Sequence, residues 1–282
     1  MPMRGTHPAR NAATRHGLRL PVVRVTAKGL TFTEGTHRYR LDGVAVPSVT
    51  TLLSGGIPKP AIASWAAKMV AEHAADNDGC ADCATYGEPP DRGRLIGHLK
   101  GVPWQKRDEA AVRGTDVHAL AEHLVHGRSV EVPDVLAERV DGYVRWLDLW
   151  QPTAILTEQM CASREWWYAG KFDLIADMAG ERWLLDFKTS RAVYGETALQ
   201  CAAYRGSEFY VDDDGVEQPM PEGITRLGVV HITPLSTVLY PLASGPEPFQ
   251  DFLHAAWTAK RKKHRDAYVA APLTSPTESD GA

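Results

Sequence analysis

The segment AGKFDLIADMAGERWLLDFKTS (169–190) reads as two buried strands, yet it carries four acidic and three basic side chains. Burying charge is costly unless the charge is paired or holds a metal. With Ala179-Gly180 as a two-residue turn, Asp173 falls opposite Asp186 and Asp177 opposite Arg182. A four-residue loop over 178–181 keeps that register, and a three-residue bulged loop shifts it. Side chains alternate across a strand, so Asp173, Asp186 and Lys188 share one face, while Trp183, Leu185 and Phe187 take the other. Facing carboxylates repel each other. A divalent cation between them removes the repulsion, and hard oxygen ligands suit Mg²⁺, which keeps several of its waters. Lys188, one pleat further on, is placed to orient or help deprotonate such a water and to stabilise charge building on a phosphoryl group. The bland alternative is a solvent-facing Asp–Lys ladder, and the apolar residues on either side of the charges argue against it. Asp177 and Arg182 read as an ion pair beside the turn, without a functional role.

These residues need elements to hold them. Residues 1–30 read as a basic, flexible arm. THRYRLDGVAVPSVTTLL (36–53) places Asp42-Gly43 between two short strand-like runs, a hairpin signal. Pro60 opens an alanine-rich helix with Ile62, Trp65, Ala66 and Met69 on one face. Residues 76–103, rich in Gly, Pro and Asp, read as a long loop or insertion. A helix over 114–127 turns Val117, Leu120, Leu124 and Val125 inward and stops at Gly127; a second spans 135–152. Strands follow over 154–163, 166–177 and 182–190, then a helix over 195–211, strands over 225–233 and 237–242, and a helix over 247–265. That order implies an α/β fold, a mixed central sheet flanked by helices, with an N-terminal hairpin and helical region.

The chain has 282 residues, 44% hydrophobic and 23% charged, enough for a sizeable core. A net charge of -4 excludes a uniformly basic nucleic-acid binder. Arg4, Arg10, Arg15, Arg19, Arg24 and Lys28 nevertheless stand in a stretch without acids, and KRKKHR (260–265) is a second basic cluster, so each can meet phosphates or simply be solvated. No signal-peptide pattern and no run of about 20 apolar residues is visible, which implies a cytoplasmic protein with reduced cysteines.

The motifs resemble the PD-(D/E)XK nuclease superfamily, in its RecB-like and Cas4-like exonuclease branch, common in phages. GKFDLIAD and WLLDFKTS match its hairpin, GTDVHALAEHL its G-T-x-x-H helix, and LQCAAYR its Q-x-x-x-Y helix, and the early PSVTTLL…IPKPAIASWAA resembles the opening of phage members. The matching pieces span about 36–260 in the family's order, each short motif weak alone and the set of four strong. Phe172 replaces the proline before Asp173, and that proline carries no metal-binding atom.

The resemblance implies a restriction-endonuclease-like core in one nuclease domain over 31–268, with 31–110 as its N-terminal subregion, 111–268 as its catalytic core and 269–282 as a disordered tail. It implies His118, Asp173, Asp186 and the Phe187 carbonyl as ligands of Mg²⁺ or Mn²⁺, with Lys188 the catalytic lysine. Gln200 and Tyr204, one helical turn apart, support the site or contact a DNA phosphate, and Glu158 is an acid near the metal. Glu122 backs up His118 or pairs on the helix surface; His123 and His126 read as structural or surface residues.

The implied activity is metal-dependent exonuclease cleavage in phage DNA recombination, repair or end processing. The alternatives are an endonuclease of the same superfamily and a non-catalytic DNA-end-binding recombination partner. Implied partners are linear DNA ends held through the backbone, a single-strand annealing protein, and further copies of this chain. Trp104, Trp166 and Trp167 could stack on a frayed strand, although core packing is the commoner use of tryptophan. Cys80-x-x-Cys83 invites a metal reading, but Cys161 and Cys201 lie inside the core and no cysteine cluster follows it, so no iron–sulfur centre is expected. Two reduced loop cysteines are the simpler reading; a zinc held by Cys80, Cys83 and His73 or His98 stays open.

Overall fold

In the computed structural model, residues 29–76 and 92–273 are described. They begin with a small antiparallel sheet, β1 (Leu30–Thr33), β2 (Arg38–Leu41) and β3 (Val44–Val46). Asp42 and Gly43 both take positive φ, 51° and 79°, which matches the twist of a two-residue hairpin. Leu30, the last residue of the expected arm, already belongs to β1, a four-residue strand too short to stand out in the sequence. The second strand-like run stops at Val46. Ser48 Oγ then accepts from the Thr51 backbone NH at 3.0 Å and starts α1 (Val49–Gly56).

Helix α2 (Pro60–Asp76) begins at its proline as expected. Helix α3 (Arg92–Val125) corrects the loop expected up to residue 103, because it runs straight through Gly97, Gly101 and Pro103. Burial of Val102, Pro103, Val117 and Ala121 outweighs the poor local propensity of those residues. Gly127, at φ 67°, stops the chain where expected, and helix α4 (Ala137–Trp150) ends on Gln151 in the left-handed region.

The main sheet comprises β4 (Thr153–Ser163), β5 (Tyr168–Met178), β6 (Glu181–Lys188), β7 (Phe209–Val211), β8 (Glu217–Pro219), β9 (Ile224–Ile232) and β10 (Thr237–Leu242). Helix α5 (Glu196–Arg205) follows β6, and α6 (Glu247–Arg261) follows β10. The strand order is β10-β9-β6-β5-β4-β7-β8, antiparallel throughout except between β6 and β9. The helix expected over 195–211 is shorter than expected: Phe209-Tyr210-Val211 pairs with β4, as aromatic and β-branched residues favour. The final helix likewise ends at Arg261 and continues as a 3-10 stretch over 262–268.

Helices cover both faces of this sheet. Val49, Leu52 and Leu53 of α1, Cys201–Tyr204 of α5 and Phe252 of α6 pack with Phe172, Ile175 and Leu184. On the other face, Val117 and Ala121 of α3 and Val140, Tyr143 and Trp146 of α4 pack with Leu174, Ala176, Trp183, Leu185 and Phe187. The small sheet packs on Ala162, Ala169 and Phe209, and the Ala169 NH donates to the Pro47 carbonyl at 3.1 Å. Among the described residues, no helix is long and apolar enough to cross a membrane.

Candidate metal centre

The β5–β6 hairpin has the expected register: Met178 faces Glu181, Asp177 faces Arg182 and Leu174 faces Leu185. Asp177 and Arg182 form the expected ion pair at 2.9 Å. The pairing stops one step short of Asp173 and Asp186, and the reason lies on β4. There Glu158 takes φ 52°, and the ladder pairs Thr157 with Leu174 and Gln159 with Phe172, leaving out Glu158 and Asp173. Phe172 and Ile175, three residues apart, pack in the same cluster, so the alternation of β5 slips at Asp173.

That slip corrects the expectation of one shared face. Asp173 Oδ1 lies 3.4 Å from His118 Nδ1 of α3, and its Oδ2 accepts the Phe187 backbone NH at 2.5 Å. Single ligand atoms of His118, Glu158 and Asp173 all lie within 4.8 Å of one another. They line a 440 Å³ cleft with Gly114, Thr115, Glu122 and Lys171. Sequence reasoning passed over Lys171, which pairs with Glu158; its one signal is its spacing two residues before Asp173.

Asp186 and Lys188 meet α5 instead. Gln200 Nε2 donates to Asp186 Oδ1 at 2.8 Å and to the Tyr204 hydroxyl at 3.1 Å, while Lys188 Nζ donates to Gln200 Oε1 at 3.4 Å. Both amide donors of Gln200 are thus used, which fixes its orientation. Lys188 Nζ stands 2.5 Å from Asp186 Oδ2. Lys188 and Gln200 open into a second cleft of 260 Å³, with Thr50, Ser54, Lys59 and Tyr194 on its walls. A Cβ on Gly114 would lie 3.2 Å from Thr189 Oγ1, so α3 crosses close over the end of β6. Phe187 contributes its NH, and its ring packs edge-on to His118.

The charges are strongly coupled. Burial opposes charging His118, but Asp173 beside it, with Asp186 and Glu158 behind, lifts its pKa to about 9. Burial works against the Asp173 carboxylate too, and His118, Lys188 and the Phe187 NH together hold its pKa below the usual range. Desolvation raises Asp186 to about 6 against the pull of Lys188, and it raises Glu158, with Asp173 adding to the effect and Lys171 opposing it. Opposed by burial, Asp186 and Asp173 keep Lys188 firmly protonated.

The donor set suits a hard or borderline divalent cation: one imidazole among carboxylates matches Mn²⁺ or Mg²⁺ better than a soft metal. Glu158 Oε1 is buried without a hydrogen-bond partner, and Asp186 Oδ2 has only the Lys188 ion pair, so two oxygens are available for ligation. Cys161 and Cys201 are buried, with burial raising both thiols, and read as packing. Cys80 and Cys83, residues 1–28 of the expected arm (1–30) and residues 274–282 of the expected tail (269–282) lie outside the described residues. In the second basic cluster, Lys260 Nζ donates to the Trp166 carbonyl at 2.7 Å and the Arg261 guanidinium stacks over Trp257. Trp104 is exposed under Arg107, and the Trp167 indole NH donates to the Ala45 carbonyl. No family model and no curated protein matches the chain.

Proposed function

We propose that this chain is a Mg²⁺- or Mn²⁺-dependent DNA exonuclease of the PD-(D/E)XK superfamily, built on a restriction-endonuclease-like core. The observation that carries the reading is convergence. His118 from α3 and Asp173 from β5 make one group, Asp186 and Lys188 from β6 with Gln200 from α5 make another, and the two lie close enough for Asp186 to act on His118 and Lys188 on Asp173.

In this reading His118, Asp173 and Asp186 hold the cation with the Phe187 carbonyl, and Glu158 supports them. The bound cation supplies a Lewis acid for the scissile phosphate and lowers the pKa of water. Lys188, kept protonated by its carboxylate neighbours, places a positive charge where negative charge builds on the phosphoryl oxygens. Gln200 ties Asp186 to Lys188, and Tyr204 holds Gln200 in place. Lysines and arginines of the arm, of DRGRLIGHLK (91–100) and of 260–265 hold the DNA backbone without reading sequence. Linear DNA ends are the substrate, and a single-strand annealing protein is the natural recipient of the strand left behind.

The test is incubation of the purified protein with linear duplex, closed circular and single-stranded DNA, in Mg²⁺, in Mn²⁺ and in EDTA. Loss of linear DNA alone is expected, stopped by EDTA and slowed about 10²–10³-fold or more by Asp186→Ala or Lys188→Ala. Cleavage of closed circles would instead assign an endonuclease. DNA-end binding without metal-dependent cleavage would leave a non-catalytic binding protein.

A further inference from the structure

Helix α3 is solvated on every side along its middle: each residue from Trp104 to Arg113 is exposed, about three turns of helix with no face turned into the protein. The charge on this part of the helix is lopsided. Residues 92–113 carry six lysines and arginines against two acids, Asp108 and Glu109, on a chain of net charge -4. Lys106 pairs with Glu109 at 3.7 Å and Arg107 with Asp108 at 2.6 Å. All four of these side chains are more than half exposed, so the pairs are weak and yield to a phosphate.

Position along the helix gives this stretch a direction. Trp104, Arg107, Ala111, Gly114 and His118 follow one another at spacings of three and four, which puts them on one face. Ala111, Gly114 and His118 line the metal cleft with Lys171. The face that walls the cleft therefore continues outward as Arg107 and Trp104, with Lys100 one turn beyond. Between Arg107 and His118 the residues on this face are small, so a chain lying along it meets no bulky side chain before the cleft. The Arg107 guanidinium lies 4.7 Å from the centre of the Trp104 ring, and that ring is 57% exposed, which sets a cation beside an open aromatic surface.

We infer that this face of α3 is a track that binds single-stranded DNA and leads it into the metal cleft, with a base stacked on Trp104 and phosphates held by Arg107 and Lys100. Stacking needs a base whose face is free, as in a single or frayed strand, whereas a duplex keeps its base faces covered. Every base has such a face, so the track reads no sequence. Trp104 stands 14 residues before His118, about 21 Å along the helix, or about six nucleotides of a stacked strand. The inference deepens the proposed nuclease reading and rests on it for what happens at the end of the track; binding along the track needs no metal.

The experiment is fluorescence anisotropy in EDTA, where metal-dependent cleavage is stopped, with a labelled oligothymidylate about 12 nucleotides long and a blunt duplex as the two probes. Wild-type protein should bind the single strand. Trp104→Ala should weaken that binding at least about 5-fold and duplex binding hardly at all, while Trp104→Phe should retain most of the affinity. Arg107→Ala should make log affinity fall less steeply with log salt, by about 0.7 in slope, the share of one phosphate contact on a single strand. Should Trp104→Ala fail to fold, quenching of the wild-type tryptophan fluorescence by the strand, reduced in Trp104→Phe, provides the second readout. No single-strand binding by the wild type, equal losses for strand and duplex, or affinity untouched by both alanine substitutions would each overturn the track. So would a wild-type dimer that Trp104→Ala makes monomeric, which would assign this face to a second copy of the chain. The cleavage assay reads the nuclease proposal separately. Trp104-dependent binding without cleavage keeps the track and removes the nuclease, and cleavage with Trp104-independent binding does the reverse.

Discussion

Glu158 carries two unfavourable features at once: a left-handed backbone at φ 52° inside a strand, and a buried carboxylate oxygen without a hydrogen-bond partner. Such strain costs about 1–3 kcal/mol and concentrates at sites where geometry serves chemistry. Glu158→Gly separates the two roles, because glycine adopts this φ freely and leaves no buried carboxylate behind. The metal-free variant should be more stable by about 1 kcal/mol, read as a rise in melting temperature in EDTA. The same variant should gain less stability from added MnCl₂ than the wild type. A lower melting temperature in EDTA would show instead that the Lys171–Glu158 ion pair outweighs the strain. At this scale the sequence revealed residue types but not the slip: Asp173 and Asp186 were readable from their register, whereas the φ of Glu158 has no signature in local composition.

The hairpin turn offers an element-scale test. Ala179 and Gly180 take φ 52° and 79°, a turn that favours asparagine in the first position and penalises the alanine Cβ. Ala179→Asn should stabilise the protein by about 0.5–1 kcal/mol while leaving metal-dependent stabilisation unchanged, measured by thermal melting with and without MnCl₂. Any change in the metal response would mean that the turn and the distant end of the hairpin are mechanically coupled. Elements with strong local signals were legible in the sequence: the hairpin over Tyr168–Lys188, the stop at Gly127 and the amphipathic helix α4. The first third of α3 was not, because its glycines and Pro103 read as loop, and burial of Val102 and Pro103 is a tertiary effect that no local pattern announces. Strand β7 was hidden for a related reason, since Phe209-Tyr210-Val211 becomes a strand only by pairing with β4.

At the scale of the whole molecule, the sheet brings together residues that neither face could assemble alone. α3 delivers His118 from one side and α5 delivers Gln200 from the other, and β5 and β6 place carboxylates between them. In the proposed centre, folding stability and metal binding share one set of protons. The folded pKa of His118, about 9, lies above the ordinary histidine value of about 6.5. Stability from the charged His118–Asp173 pair is therefore fully present below pH 6.5 and is lost as pH rises through 9. Asp186 titrates near 6, below most of that window, and Asp173, Glu158, Glu122 and Lys171 are the other charged groups lining the cleft with the imidazole. A cation can take His118 only in its neutral form, so metal and proton compete for the same nitrogen. In EDTA the melting temperature should fall between pH 7 and 9. In excess MnCl₂ it should fall less, because metal that binds only the folded state stabilises it by mass action. The gap between the two curves should widen with pH in the wild type and stay flat in His118→Asn. A flat gap in the wild type would remove His118 from the ligand set while leaving the carboxylates as candidates.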